Sequence, residues 1–312
     1  MLSVIIPTHN PVARRFERTL AGLKAQTLDR RLWELLIVDN ATPDAEHVAS
    51  FDTSWHPNAR IIREEKLGLT AARLAGIKAS RGEYLVFVDD DNVLSENYIK
   101  SVLEIFDSNE KLGAVGGKSL PEFEIEIEPW ITQFFTCLAL RDLGETPRVS
   151  YYDETAPESK QYPSIAPLGA GMALRRAAAE FYAASVSGDS ARLSLDRTGR
   201  SLTSGGDNDI VLTVWGAGWG VGYFPQLELL HLIPAGRLSK DYLARLNHAM
   251  SRSWIQVLDV HGIRQWRKIP RWTVWPRKMK AFLIYQAWKD PASYVRWQGA
   301  CGMFEGQASL PE

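Results

Sequence analysis

Val86-Phe-Val-Asp-Asp-Asp-Asn92 sets three consecutive carboxylates directly behind an apolar run, and this juncture constrains the fold more than any other stretch of the chain. The run it closes, Tyr84–Val88, is one of four short apolar segments in the first third, with Leu2–Ile6, Leu35–Val38 and Arg60–Ile62. Segments of helical period separate them. Val12 to Gln26 carries Phe16, Leu20 and Leu23 on one face, and Leu69 to Ser80 turns Ala72, Leu74 and Ala75 inward. Strands alternating with helices predict a parallel sheet with crossover helices. Open sheets of this kind bind ligands beyond the carboxyl ends of their strands. The residues that matter most are therefore Pro7-Thr-His-Asn10, Asp39-Asn40 and Asp89-Asp-Asp-Asn92.

Three adjacent negative charges repel one another, and a hard divalent cation relieves the repulsion. The cluster implies Mg2+ or Mn2+, held by one or two carboxylates and completed by phosphate oxygens and water, which points to a diphosphate ligand. The competing reading makes the aspartates caps of a following helix. Asp39 closes the second run where open α/β folds recognise a nucleoside, and its carboxylate can accept from a base N–H or a ribose hydroxyl. Neither the Gly-x-Gly-x-x-Gly turn of dinucleotide folds nor the Gly-Lys-Ser/Thr of phosphate loops is found, which sets dehydrogenase and kinase readings aside. Gly68 opens a helix but stands alone.

Further along, a helix is expected over Ser95 to Phe106 and a strand over Ala114–Gly117. Pro121 to Pro129 alternates Glu122, Glu124, Glu126 and Glu128 with Phe or Ile, the pattern of an edge strand with one wet face. Arg141 to Pro167 reads as a loop able to close over a ligand. Leu168 to Arg176 returns to a strand before an Ala-rich helix. A second loop, Ser187 to Gly206, leads into Asp207-Asn-Asp209 and a helix over Ile210 to Trp215. Gly220 to Leu232 holds one or two strands, and helical periodicity dominates from Leu238 onward.

Lys plus Arg number 36 against 37 Asp plus Glu, so nucleic acid is not expected as a partner. The average hides an asymmetry: the segment from Asp241 onward has 11 basic and 5 acidic residues. It also holds six of the eleven tryptophans, Trp254, Trp266, Trp272, Trp275, Trp288 and Trp297. Such a tail suits an anionic membrane surface, or its tryptophans pack it against the rest of the chain. Pro270, Pro276 and Pro291 are expected to break it into short helices. No run approaches the roughly 18 apolar residues of a spanning helix. Cys137 and Cys301 offer neither metal spacing nor a disulfide framework, and with no basic region and long apolar stretch around Leu2–Ile6 a signal peptide is not expected. The expectation is a cytoplasmic protein, peripheral at the inner face of the membrane.

Ser3-Val-Ile-Ile-Pro-Thr-His-Asn10, Leu36-Ile-Val-Asp-Asn40, Gly68 to Gly76, and Gly82-Glu-Tyr-Leu-Val-Phe-Val-Asp-Asp-Asp91 follow one pattern in order and spacing. Over roughly residues 2 to 240 the chain resembles the family-2 inverting glycosyltransferases of the GT-A fold. The resemblance implies a Rossmann-like α/β nucleotide-diphospho-sugar transferase fold with a mostly parallel central sheet and a helical C-terminal extension. Its expected parts are a nucleotide-sugar half (1–120), an acceptor half (121–240) and the basic, Trp-rich tail (241–312).

By the same resemblance Pro7, Thr8 and Asn10 line the nucleotide pocket, Asp39 contacts the base, and Gly68, Arg73 and Asp90 lie near the donor. The Asp-x-Asp motif falls on Asp89 and Asp91, with Asp91 the more direct metal ligand and Asp89 near the ribose or a metal-bound water. His231 is a further metal ligand, or a plain core histidine, and Arg237 reaches the diphosphate. Gly169-Ala-Gly171 lets backbone approach the donor sugar, or simply turns the chain. The family's base lies in a Glu-Asp pair opening a helix; here Gly206 stands in the Glu position and Asp207 in the Asp position. Inverting transfer needs one carboxylate to take the acceptor proton, and Asp207 fits that role, with Asp209 its competitor. Both also fit favourable charges at a helix start.

The implied activity is metal-dependent, inverting transfer of a sugar from a nucleotide diphosphate sugar donor to a hydroxyl of a glycan or lipid-linked acceptor, in cell-surface polysaccharide assembly. One alternative is a non-catalytic sugar-nucleotide or glycan-binding module. Another is a sugar nucleotidyltransferase, which would want a Gly-rich basic loop where Pro7-Thr8-His9-Asn10-Pro11 stands.

Overall fold

The computed structural model describes residues 1–153, 155, 161–197, 199 and 202–311. Among them the strands β1 (Leu2–Thr8), β2 (Trp33–Asn40), β3 (Ala59–Glu64), β4 (Tyr84–Phe87), β5 (Asn92–Leu94), β6 (Leu112–Phe123), β7 (Arg148–Ser150), β8 (Ala173–Arg175) and β9 (Gly220–Ile233) share one sheet. Its order is β3-β2-β1-β4-β8-β6-β9-β5, with β7 also paired to β9. The pairs β3–β2, β2–β1, β1–β4 and β6–β9 are parallel, and those of β8, β5 and β7 are antiparallel.

β1 and β2 are buried at every residue, which is why they read as unbroken apolar runs without alternation. The helices are α1 (Ala13–Lys24), α2 (Ala45–Ala49), α3 (Leu69–Ala79), α4 (Tyr98–Ser108), α5 (Arg176–Val186), α6 (Ser190–Leu193), α7 (Gly206–Gly216), α8 (Lys240–Val260), α9 (Val274–Ile284) and α10 (Pro291–Ser309). One sheet face, bearing Leu2, Val4 and Ile6, packs on α1 and α4. The other, bearing Ile5, packs on α3, α5 and α7. A third core joins the 3₁₀ segment Pro129–Leu138 and the end of β9 to α8 and α10 through Phe134, Ile233, Leu246 and Val295.

Several expectations change. The strand expected at Ala114–Gly117 is the start of the longer β6, and the division at residue 120 falls inside it, so both halves share one sheet. The edge strand expected as far as Pro129 stops at Phe123. There Glu124 N donates to Ile233 O and the Glu124 carboxylate accepts from Ala235 N, so the chain is held without a further ladder. The loop from Arg141 carries the short β7, and its residues 154 and 156–160 lie outside the described residues, as do 198, 200 and 201 of the Ser187–Gly206 loop. On α3 Ala72 is buried as expected and Arg73 is buried beside it, while Leu74 and Ala75 are half-buried against the same core. Pro276 does not break the tail; it sits in the first turn of α9, where an amide donor is not needed.

Candidate active site

Thr8 pairs in register with Asp39, and Ile5 with Phe87, so the carboxyl ends of β1, β2 and β4 lie side by side. The polar residues beyond them are held by neighbouring strand ends. The Thr8 hydroxyl donates to Asp90, Asn10 N donates to Thr42 Oγ1 at 3.0 Å, and His9 Nδ1 lies 2.7 Å from Asn40 O. Asn10 has φ 49°, a left-handed conformation that asparagine tolerates. The Asn40 amide donates to Glu64 O and Lys66 O and accepts from Gly68 N at 2.8 Å. It thereby fixes the turn in which Gly68, at φ 146°, opens α3. Asp39 accepts from Thr42 N with one carboxylate oxygen and pairs with Arg63 through the other.

Beside these strand ends a cavity of about 150 Å3 brings together Pro7, Arg73, Asp89, Asp90, Asp91, Asp207, His231 and Arg237. Thr8, Asn10, Asp39 and Gly68 are not part of its lining and stand on the adjoining sector. His231 arrives because β9 pairs with β5, which sets it opposite Asn92. Arg237 follows in the 3₁₀ turn Ala235–Leu238.

The three aspartates are not equivalent. Asp91 is 4% exposed, with Arg237 Nη1 at 3.1 Å from one oxygen and His231 Nε2 at 3.6 Å from the other. Burial opposes its ionisation, but His231 and Arg237 outweigh burial and hold the carboxyl below the usual carboxylate range. Burial and the neighbouring Asp91 charge push the Asp90 carboxyl up to about 7, against its bond from Thr8. Burial raises Asp89 as well, with the Arg73 guanidinium opposing it.

Among the described residues no three His, Cys, Asp or Glu side chains form a ready-made metal cluster. A Mg2+ or Mn2+ ion needs only one or two protein ligands when phosphate oxygens and water complete its shell. Asp91 and His231 fit that requirement. Their donor atoms are 3.6 Å apart, and both residues are at most 5% exposed. Arg237 Nη1 lies 3.2 Å from His231 Nε2, so a guanidinium already balances the Asp91 charge at that point. The buried His231 Nδ1 has no hydrogen-bond partner in the protein.

Asp207 and Asp209 both open α7 but face different surroundings. Asp207 lines the cavity, half-buried, and accepts from Gly169 N at 3.1 Å. Asp209 is fully buried behind it, where it accepts from Arg192 Nε at 3.0 Å and lies 2.7 Å from His261 Nε2. The Gly169–Gly171 turn serves these side chains: a Cβ on Gly169 would lie 2.8 Å from Arg73 Nη2 and 3.1 Å from Asp207 Cβ. Tyr98 anchors the turn by donating its hydroxyl to Gly171 O at 2.6 Å.

Sequence reasoning missed Asp196 and Arg197, which also line the cavity, and the residues Arg63, Arg192 and His261 that pair with singled-out aspartates. Asp196 is 4% exposed and its Oδ2 lies 3.0 Å from Arg73 Nη1. The only signal available was its place in the loop before α7.

A family model described as glycosyl transferase family 2 matches residues 3–180. Among curated relatives, the "Uncharacterized glycosyltransferase EpsJ" of Bacillus subtilis is 34% identical over 111 residues, 35% of this chain and 31% of that protein. Glycosyltransferase AglE of Haloferax volcanii is 36% identical over 92 residues, 29% of this chain and 30% of that protein. The poly(ribitol-phosphate) beta-N-acetylglucosaminyltransferase TarP of Staphylococcus aureus is 26% identical over 130 residues, 39% of each. The chain spans about a third of the length of the curated relatives it matches. Among solved structures, S. aureus TarS 1–349 in complex with UDP-GlcNAc superposes with a TM-score of 0.54 at 12% identity, over 97% of this chain and 89% of that one. The likeness gives the GT-A fold.

Proposed function

The chain belongs to glycosyl transferase family 2, and from that premise we propose that it is a metal-dependent, inverting glycosyltransferase. It moves a sugar from a nucleotide diphosphate sugar to a hydroxyl of a glycan or lipid-linked acceptor, in polysaccharide assembly. The observation that carries the reading is that Asp207 lines the same cavity as the Asp89–Asp91 cluster, His231 and Arg237. The S. aureus TarS structure is a complex with UDP-GlcNAc, which makes UDP-N-acetylglucosamine the first donor to test.

In this reading the carboxylate of Asp207, oriented by Gly169 N–H, takes the proton of the acceptor hydroxyl. The freed oxygen forms a bond to the anomeric carbon from the face opposite the diphosphate. The bond from that carbon to the diphosphate oxygen breaks, and its electron pair leaves with the diphosphate, inverting the centre. Mg2+ or Mn2+ held by Asp91 and His231 would stabilise the leaving charge. Arg237 adds fixed positive charge on the same side, and Arg73 does so from the cavity floor.

Binding and turnover of a panel of UDP-, GDP- and dTDP-sugars, with Mn2+ and with EDTA, test the proposal. Metal-dependent donor stabilisation and nucleotide release are expected, and Asp91→Asn should lose both while keeping its fold. Full activity of Asp91→Asn in EDTA would sink the metal assignment. Metal-dependent binding without any turnover on glycan or lipid-linked acceptors would favour a binding module.

A further inference from the structure

Seven of the seventeen large apolar side chains that stand exposed among the described residues fall between 272 and 288. The five most exposed are all there: Trp272 (78%), Trp275 (70%), Ile284 (65%), Leu283 (63%) and Trp288 (61%). Helix α9 is docked by its opposite side. Ala281 is buried, Phe282 packs on Trp297 with ring centroids 5.1 Å apart, Lys278 pairs with Glu305, and Trp297 Nε1 donates to Lys278 O at 3.0 Å. Trp275, Met279 and Leu283, four residues apart, therefore form an outward stripe where a solvated helix would carry polar residues. An apolar patch of this kind marks an interaction surface.

Charge selects the partner. No acidic residue occurs between Asp259 and Asp290, while eight Lys or Arg do, among them the exposed Arg267, Arg271, Arg277 and Lys280. Pairing this face with a second copy about a twofold axis would set cationic patch against cationic patch. A sheet of anionic headgroups over acyl chains matches both the cations and the tryptophans. At 11 residues α9 is about 16 Å long, about half a bilayer core, and no helix among the described residues is long and apolar enough to cross a membrane. We propose that residues 267–288 dock in the plane of an anionic lipid surface, with Trp272, Trp275, Leu283 and Trp288 at headgroup depth.

Co-sedimentation of the full chain with vesicles tests this, comparing phosphatidylcholine alone with phosphatidylcholine containing phosphatidylglycerol, at low and high salt. Binding to the anionic vesicles, weakened by salt, is expected, with a blue shift of tryptophan emission. Replacing Arg271, Arg277 and Lys280 by Gln should weaken that binding roughly a hundredfold. Trp272→Ala with Trp275→Ala should weaken it while leaving UDP binding unchanged, which keeps this result separate from the transferase reading. No binding to phosphatidylglycerol vesicles at low salt would overturn the proposal. So would a dimer, seen by sedimentation velocity, that the two Trp changes dissolve in the absence of vesicle binding.

A second inference rests on the transferase reading and on a different observation. By the resemblance, Gly206 stands where the family's acidic pair has its glutamate, and a Cβ built on it would lie 2.2 Å from Asp196 Oδ2 and 2.8 Å from Asp196 Cβ. The Asp196 side chain fills the volume that a residue at 206 would use. The geometry points to Asp196 as the residue that supplies the missing carboxylate from the preceding loop. It is a positioning residue that holds Arg73 beside Asp207 on the cavity floor.

A swap tests it. Gly206→Glu alone should lower the melting temperature and turnover, and Asp196→Gly alone should lower turnover. The double variant should recover most of both. Asp196→Asn should reduce kcat at least tenfold with the Kd for UDP within a few-fold. Full turnover of Asp196→Asn, in a wild-type background shown to be active, would overturn the inference while leaving the transferase reading intact. A double variant no more stable than Gly206→Glu alone would also overturn it, independently of activity.

Discussion

Asp207 and Asp209 are two residues apart and carry the same group, yet their surroundings give them different work. Asp207 faces the cavity, so Asp207→Asn should lower turnover by at least a hundredfold with UDP binding nearly unchanged, measured by steady-state kinetics and calorimetry. Asp209 neutralises Arg192 and contacts His261 in a buried cluster, and breaking such a pair costs about 3–5 kcal/mol. Asp209→Asn should therefore melt early while its folded fraction still turns over; the reverse pattern would exchange the two roles. The sequence could propose both carboxylates but not sort them, because the sorting comes from Arg192, 17 positions away, and His261, 52 positions away. The Asp89–Asp91 cluster was legible since it needs only one strand and its end. A similar argument applies to His56, which is 3% exposed and accepts from Asn58 N at 3.1 Å through Nδ1. Burial, aided by Arg30, holds its imidazole down at about 4 against an ordinary 6.5. The unfolded chain then binds the proton first, so this contribution to stability is complete above pH 6.5 and is lost as pH falls toward 4, about 3 kcal/mol in all. Urea unfolding of wild type and His56→Gln across that window should show a shallower pH dependence in the variant.

At the level of elements, four strands and the helices α1 and α3 of the first hundred residues are readable because each is a local pattern: β1 and β2 as apolar runs buried on both faces, α1 as a stripe of Phe16, Leu20 and Leu23. The five-residue α2 and the three-residue β5 are too short to show a period, and β5 is a strand only through its pairing with β9. The elements that were misjudged owe their form to distant partners. β6 runs on to Phe123 only because β9 lies alongside from Leu112 to Phe123, and Glu124 leaves the ladder where β9 ends. The burial of Arg73 on α3, beside the expected Ala72, does not show in the helical period, because a buried charge there is tolerable only next to Asp196, on a loop 123 residues later. The helix also approaches the sheet closely at Gly76, where a Cβ would lie 2.5 Å from Ile5 Cγ2. Alanine gains up to about 1 kcal/mol of helix propensity over glycine, but overpacking of this kind costs about 1–3 kcal/mol. Gly76→Ala is thus expected to destabilise the protein by roughly 1 kcal/mol in chemical denaturation. A more stable Gly76→Ala would show that α3 can slide on the sheet without penalty.

Across the whole molecule the tail is not an appendage to the sheet, because the core it uses is shared. Leu246 and Val295 of α8 and α10 pack with Phe134 and Leu138 of the 3₁₀ segment and with Ile233 at the end of β9, the strand that delivers His231. His261, just past α8, reaches Asp209 at the start of the helix that carries Asp207. The tail thus buttresses two of the segments that compose the cavity, while α9 turns its other side outward. Composition alone could not divide the tryptophans between these duties: Trp254 stacks edge-on to Tyr162 and Trp297 packs on Phe282, whereas Trp272, Trp275 and Trp288 face solvent. One shared core predicts one cooperative unfolding transition, in which signals from the sheet and the tail coincide and shift together when UDP is added. Leu246→Ala, at a side chain only 1% exposed, should lower that single transition by about 2–5 kcal/mol in both signals. Separate transitions, with only the tail signal moved by Leu246→Ala, would mean that the sheet holds β9 and His231 in place without help from the tail.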